Sequence, residues 1–185
     1  MRSRFIKTAV VTMLALLPLV LSAQEATASS RIEVAARNRT SVAPDFEARL
    51  ATSINTVRKH YGLRCLRLVP ELVRSADSHS LQMAHRGYFS HYSANGASFS
   101  TRVQRLYGSR GFRYWSAGEN LLWVGRSIQP YQVVARWLTS PVHRSVLLSR
   151  QWAVMGVGVA QSTHGPGVFG GRAVLVITTD FAVRH

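Results

Sequence analysis

Acidic residues and cysteine are what this sequence has least of. Only 8 of its 185 residues are Asp or Glu, against 23 Lys or Arg, so the formal net charge is +15. One cysteine, Cys65, excludes an intramolecular disulfide framework, and its distance from the N-terminus excludes a lipoprotein anchor. Nothing in Leu63-Arg64-Cys65-Leu66 marks a reactive thiol, so Cys65 is expected to be a small core residue. Several catalytic signatures are missing as well: the phosphate-loop lysine, the His-Glu-x-x-His zinc helix, the Cys-x-x-Cys pair and the Gly-x-Ser-x-Gly nucleophile elbow. Gly165-Pro166-Gly167-Val168-Phe169-Gly170 fits the dinucleotide pattern literally, but a strand pattern follows it where a phosphate site needs a helix N-terminus, so it reads as a hairpin loop.

Long apolar runs are also scarce after the first. Arg2, Arg4 and Lys7 precede an apolar stretch from Ala9 to Leu21, and Ala26-Thr27-Ala28 offers a small-x-small cleavage site, the three parts of an export signal. The stretch is short for a membrane span, which needs about 20 apolar residues. Residues 1–28 are therefore expected to be a signal peptide and the mature protein to be secreted or periplasmic. Cleavage would leave a net charge of +13, carried almost wholly by arginine, since Lys59 would be the sole remaining lysine.

Hydrophobic residues make up 46% of the chain and charged ones 17%, which is enough for a folded core. Arg58, Arg67, Arg74, Arg86, Arg102, Arg105, Arg110, Arg113, Arg126, Arg136, Arg144 and Arg150 occur singly rather than in blocks. That is the pattern of a solvated basic surface, and no nucleic-acid-binding motif accompanies it. Acidic polymers are the partners such a surface suggests, because guanidinium forks suit phosphate and carboxylate.

Residues 29–44 lack periodicity and read as a linker containing a glycosylation sequon, Asn38-Arg39-Thr40; the folded domain is expected over 45–184. Phe46, Leu50, Ile54, Val57 and Tyr61 recur at helical spacing up to Gly62, and Leu72, Ala76, His79 and Met83 do so between Pro70 and Gly87. Further helices are expected over Phe99–Tyr107 and Pro130–Thr139, and another from Ser140-Pro141. Val154–Ala160 and Ala173–Phe181 are rich in β-branched residues and flank a glycine-rich loop, which predicts a hairpin. Helices first and strands last point to an α+β domain with helices packed on an antiparallel sheet.

Three segments stand out as chemistry-bearing: Gly87-Tyr88-Phe89-Ser90-His91, Ala117-Gly118-Glu119-Asn120-Leu121 and Trp137 to Arg144. With Asn55, Arg58 and Gly62-Leu63 before them, and Met155-Gly156-Val157-Gly158-Val159 and Thr178 to Phe181 after them, the chain resembles the CAP superfamily of cysteine-rich secretory, antigen 5 and pathogenesis-related-one proteins, or SCP domain, in its compact bacterial branch. The resemblance implies a three-layer α-β-α sandwich whose central cleft is lined by His91, Glu119 and His143. It also implies a divalent metal, most often zinc, on the two histidines, and a lipid or cell-envelope ligand as a candidate partner. Ser140 stands where many eukaryotic members carry a second glutamate, and Val142 replaces the usual glycine beside His143.

The residues themselves leave several roles open. Two imidazoles and a carboxylate suit zinc, and Glu119 could be a ligand, the orienter of a histidine or a general base on bound water. Ser140 is placed to cap the helix that Pro141 starts, Asn120 to tie the Gly-Glu-Asn turn to neighbouring backbone, and Arg144 to support the cleft. Trp137 and His79 are expected in the core. The functions in view are a binding module for a lipid or envelope ligand, a metal-assisted hydrolase of peptide or acyl bonds, and an interaction protein acting through its basic surface.

Overall fold

The computed structural model describes residues 40–125 and 127–185. The expected signal peptide, most of the expected linker and Asn38 of the sequon lie outside the described residues. Arg37–His185 forms one compact unit, and every core cluster of the described residues lies within it.

Helix α1 (Pro44–His60) follows strand β1 (Thr40–Val42), so the end of the expected linker is instead an edge strand, paired antiparallel through Thr40↔Ser162 and Val42↔Ala160. Pro44 opens α1, Asp45 and Glu47 lie in its first turn and Arg58, Lys59 and His60 in its last, an order that matches the helix dipole. A short strand β2 (Arg67–Leu68) leads to α2 (Pro70–Arg86), which ends at Gly87 in the left-handed region with φ 73°. Then come α3 (Phe99–Leu106), β3 (Trp115–Gly125), α4 (Pro130–Thr139), α5 (Pro141–Leu147), β4 (Val154–Gly165), a single 3₁₀ turn (Gly167–Phe169) and β5 (Arg172–Arg184).

The sheet runs β1-β4-β5-β3, antiparallel throughout except that β2 lies parallel to β4. Strand alternation sends successive residues to opposite faces. On one face Leu50 and Ile54 of α1, Val133 and Trp137 of α4 and Leu147 of α5 pack on Met155, Val157, Ile177 and Phe181. On the other, α2 covers Ala160, Val174 and Val176 with Met83 and Ala84, and Leu72 joins Val103 of α3 against Val154 and Ala182. This is the three-layer α-β-α sandwich.

Gly156 and Gly158 set the spacing of the α2 layer. A Cβ on Gly156 would sit inside the Leu72–Val73 backbone, and one on Gly158 inside that of Ala76–Asp77. The helix therefore lies directly on bare strand.

Three further expectations need correction. The Gly-Glu-Asn segment is no turn but the middle of β3, with Glu119 paired to Asp180 and Asn120 to Thr179. Its mixed composition, with Gly118 facing Trp152, hides the strand period. Cys65 is exposed, because the segment between Gly62 and β2 passes over the surface and buries Leu66 instead. Arg58 is not a surface charge: fully buried, it donates from Nη1 to the carbonyls of Leu147 at 2.7 Å and Ser149 at 3.1 Å, tying α1 to the end of α5. Burial, with Arg64 nearby, holds the pKa of Arg58 below its ordinary value.

Candidate functional site

Glu119 anchors the site. Its position in β3 puts its side chain on the α2 side of the sheet, where it has no solvent exposure. Oε1 lies 2.7 Å from Nδ1 of His91, and Oε2 accepts from Nη2 of Arg102. Both carboxylate oxygens are thus engaged. His91 comes from the loop between α2 and α3; its ring is fixed at Nδ1 while 49% of the side chain is exposed.

The loop that carries His91 is itself held. His79, buried in α2, approaches the Ser90 carbonyl with Nε2 at 2.8 Å, and Ala94 donates its backbone N–H to Gln82 Oε1 at 2.8 Å. Burial pushes the pKa of His79 down to about 4, and the nearby charge of Arg102 acts in the same direction, so the ring is neutral at physiological pH. His79 is a core residue, as its helical stripe predicts.

Beneath Glu119 lies a residue that sequence reasoning passed over. Asp180 of β5 is fully buried, opposite Glu119 in the strand register, with Arg102 Nη2 3.9 Å from its Oδ1. Burial and the charge of Glu119 push its pKa well above the ordinary carboxylate range. One guanidinium serves two buried carboxyls, and the surroundings of Asp180 favour its protonated form. Arg102, read from sequence as a surface charge, also donates from Nη1 to Ser93 Oγ at 3.2 Å and so joins α3, the His91 loop and the sheet.

His143 sits on α5, across β3 from these groups. It is half-buried, and burial first, then the charge of His91, lowers its pKa. Asn120, fully buried, donates to the His143 carbonyl at 3.0 Å, the backbone tie expected of it. Ser140 occupies the N-cap of α5 but makes no side-chain capping bond. Arg144 lies 5.1 Å over the ring of Tyr61 rather than in the cleft. Trp137 is buried and donates from Nε1 to the Leu121 carbonyl at 3.1 Å.

A cleft of about 550 Å³ opens along this edge of the sheet, lined by His91, Tyr92, Phe99, Ala117, Gly118, Glu119, Val142, Val146 and Trp152, among others. Gly118 is required there, since a Cβ would meet Trp152 at 2.6 Å and Val146 at 3.2 Å. Apolar side chains form most of the wall, and His91, Tyr92, Ser98, Ser116 and Gln151 supply its polar groups. Val142, part of the lining, is 73% exposed.

The residues present do not fit a three-ligand metal centre. Among the described residues no group of three or more His, Cys, Asp or Glu side chains is arranged to hold an ion. Glu119 is committed to His91 and Arg102, which leaves it the role of orienting the imidazole.

Comparison with known proteins agrees with this architecture. Residues 52–178 match the cysteine-rich secretory protein family, CAP, and the chain belongs to it. It is 31% identical over 130 residues to the uncharacterized protein YkwD of Bacillus subtilis, a match covering 68% of this chain and 48% of that protein. It is also 31% identical over 113 residues to the uncharacterized membrane protein YlbC of the same organism, covering 61% of this chain and 31% of the other. The chain thus matches less than half the length of either curated relative. Among solved structures, an outer surface protein of Borrelia burgdorferi superposes with a TM-score of 0.66 at 19% identity, covering 80% of this chain and 99% of that one. An extracellular SCP-domain protein of Bacillus anthracis superposes with a TM-score of 0.56 at 27% identity, covering 75% of this chain and 40% of the other.

Proposed function

We propose that this is an exported CAP-family binding protein whose cleft takes an amphipathic cell-envelope ligand, its apolar part against Phe99, Val142, Val146 and Trp152 and its polar end at His91. The observation that carries the reading is the cleft itself, about 550 Å³ with mostly apolar walls and a carboxylate-oriented imidazole presented at one side. Such a combination is what small-molecule sites show: apolar area for affinity and a few fixed polar groups for orientation. Export is supported by the signal-like residues 1–28 and by the descriptions of the two structural neighbours as outer surface and extracellular proteins. Among the described residues no helix is long and apolar enough to cross a membrane.

The test is uptake from a mixed lipid extract by delipidated protein, read by native mass spectrometry. The parent should gain discrete ligand masses, and Phe99→Asp and Val142→Asp should lose them. Val168→Asp, at an exposed valine outside the cleft, should not. Equal uptake by all three variants would reject the reading.

Zinc held by His91 and His143 alone is a second reading. It is favoured by the His91–Glu119 contact, the carboxylate–imidazole arrangement that stands behind many metal-ligating histidines. Calorimetric zinc titration should then show saturable binding that His91→Ala and His143→Ala each abolish; unchanged binding in either variant would rule it out. Hydrolysis has less support, since the described site offers no evident nucleophile and both carboxylate oxygens of Glu119 already have partners.

A further inference from the structure

From Phe99 to Gly118 the chain carries Arg102, Arg105, Arg110 and Arg113 and no acidic residue. Arg102 is consumed by the buried carboxyl pair, and the other three are exposed. The ion pairs among the described residues all involve Glu119 or Asp180, so no carboxylate pairs with Arg105, Arg110 or Arg113. Interleaved with them are Leu106, Phe112 and Tyr114, exposed by 41%, 42% and 43%.

These residues are held in one place. The Arg184 guanidinium lies 3.8 Å from the centroid of the Tyr107 ring and 4.6 Å from that of Phe112, and its Nη1 donates to the Gly108 carbonyl at 3.0 Å. Phe112 N–H closes a turn on the Ser109 carbonyl at 2.9 Å, with Gly111 at φ 84° and open space around it. Tyr114 exchanges both backbone hydrogen bonds with His185 and stacks on its ring. The end of α3, the following loop and the chain end beyond β5 therefore form one firm projection, basic and apolar at once.

We propose that this projection seats the protein on an anionic phospholipid bilayer, with Phe112 and Leu106 entering the interface and Arg105, Arg110 and Arg113 against lipid phosphates. Unpaired arginines complement the negative surface potential of such a membrane, and aromatic rings favour the headgroup level. A soluble polyanion would satisfy the arginines but not the three exposed apolar side chains. The proposal does not rest on the cleft reading, although Ser116, Ala117 and Gly118 run straight from the projection into the cleft wall.

The test uses the chain without its signal-like residues 1–28 in vesicle co-sedimentation, with phosphatidylcholine vesicles and with vesicles containing about one third phosphatidylglycerol. The parent should bind only the anionic vesicles, and less as salt rises. The triple variant Arg105→Glu, Arg110→Glu, Arg113→Glu should weaken binding at least about tenfold. Leu106→Ser with Phe112→Ser should weaken it about fivefold without changing binding to soluble polyphosphate. A charge-matched control, Arg67→Glu, Arg74→Glu, Arg86→Glu, should stay within about twofold of the parent on anionic vesicles. An equal loss in that control would overturn the proposal in favour of diffuse surface charge. Unchanged vesicle binding by the serine variant would overturn it in favour of a polyanion, and absence of binding by the parent would end it outright. Lysolipid uptake in the cleft should be unaffected by the triple variant, so the two readings fail separately.

Discussion

The two faces of the sheet are built differently. Under α1, α4 and α5 one continuous apolar cluster runs from Leu50 and Ile54 through Trp137 to Ile177 and Phe181, and the buried polar groups Arg58 and Asn120 bond to backbone carbonyls on α5 and just beyond it. Under α2 and α3 the apolar contacts are split into two clusters, and between them lies a buried polar seam: Ser80 bonded to the Gly158 carbonyl and to Thr178, then Asp180, Arg102 and Glu119. Buried polar groups cost free energy unless paired. The seam ends at His91 in the cleft, so that cost is concentrated where a side chain must be held in a fixed orientation. The α2 side fixes the imidazole, and Val142, Val146 and Trp152 from the α5 side complete the cleft wall.

The largest break in this comparison should come from Gly158→Ala. Its Cβ would occupy the backbone of α2, so the helix must leave the sheet, at a cost of about 4 kcal/mol or more that thermal unfolding would register as a large drop in Tm. Gly118→Ala should be milder, about 1 to 3 kcal/mol, because the atom it meets belongs to the Trp152 side chain rather than to backbone. The displaced indole should enter the cleft, so ligand uptake should fall more than stability does.

Arg102→Met falls between the two glycine variants: it leaves two buried carboxyls without their cation and should cost about 3 to 5 kcal/mol in chemical denaturation at neutral pH. Adding Glu119→Gln to Arg102→Met should restore part of that loss, since it removes the uncompensated charge. If the double variant were as unstable as the sum of its singles, the seam would not act as one charge cluster.

Asp180→Asn sharpens the same point more gently. The folded protein holds the Asp180 proton above the ordinary carboxylate range, so between the unfolded and folded pKa it binds more protons than the unfolded chain. Its contribution is present below the unfolded value, about 4, and lost as pH rises through the folded one. His79 slopes the other way: with its folded pKa near 4, stability falls as pH drops from about 6.5 toward 4. Asp180→Asn should therefore remove the loss on the alkaline side and leave the acid limb in place, at a cost of about 1 kcal/mol or less near neutrality. Denaturation midpoints measured across pH would show whether the two limbs separate. The smallest effect should be that of Ser140→Ala, under about 0.5 kcal/mol, because the hydroxyl makes no capping bond.

Much of this was legible in the sequence, for identifiable reasons. The stripes of α1 and α2, the prolines at their starts and Gly62 and Gly87 at their ends located both helices, because each signal is local. Pro130–Thr139 is α4 as expected, and the two β-branched runs are β4 and β5, both longer than their apolar cores. Strand β3 escaped because its sequence alternates by packing partner rather than by polarity: Glu119 points to Arg102, and Gly118 to Trp152. Of the site, His91 and Glu119 were brought together as the family pattern implies, while Arg102 and Asp180 were not singled out. A lone aspartate inside the apolar run from Val174 to Phe181 was the available signal, since an acid in a buried strand needs a partner. Its partner lay 78 residues away in sequence, where only the folded register reveals it.

The central claim, that the cleft at the edge of β3 is where the ligand binds, is tested most directly by the four tryptophan indole N–H signals in a nitrogen–proton NMR spectrum. Trp152 lines the cleft, Trp137 is buried behind it, and Trp123 packs on Phe169 away from it. On titration with a single-chain lysophospholipid below its micelle threshold, the Trp152 signal should shift in a saturable way, that of Trp123 should stay fixed, and Val142→Asp should abolish the shift. A saturable shift at Trp123 with Trp152 unmoved, or a Trp152 shift that survives Val142→Asp, would contradict the account.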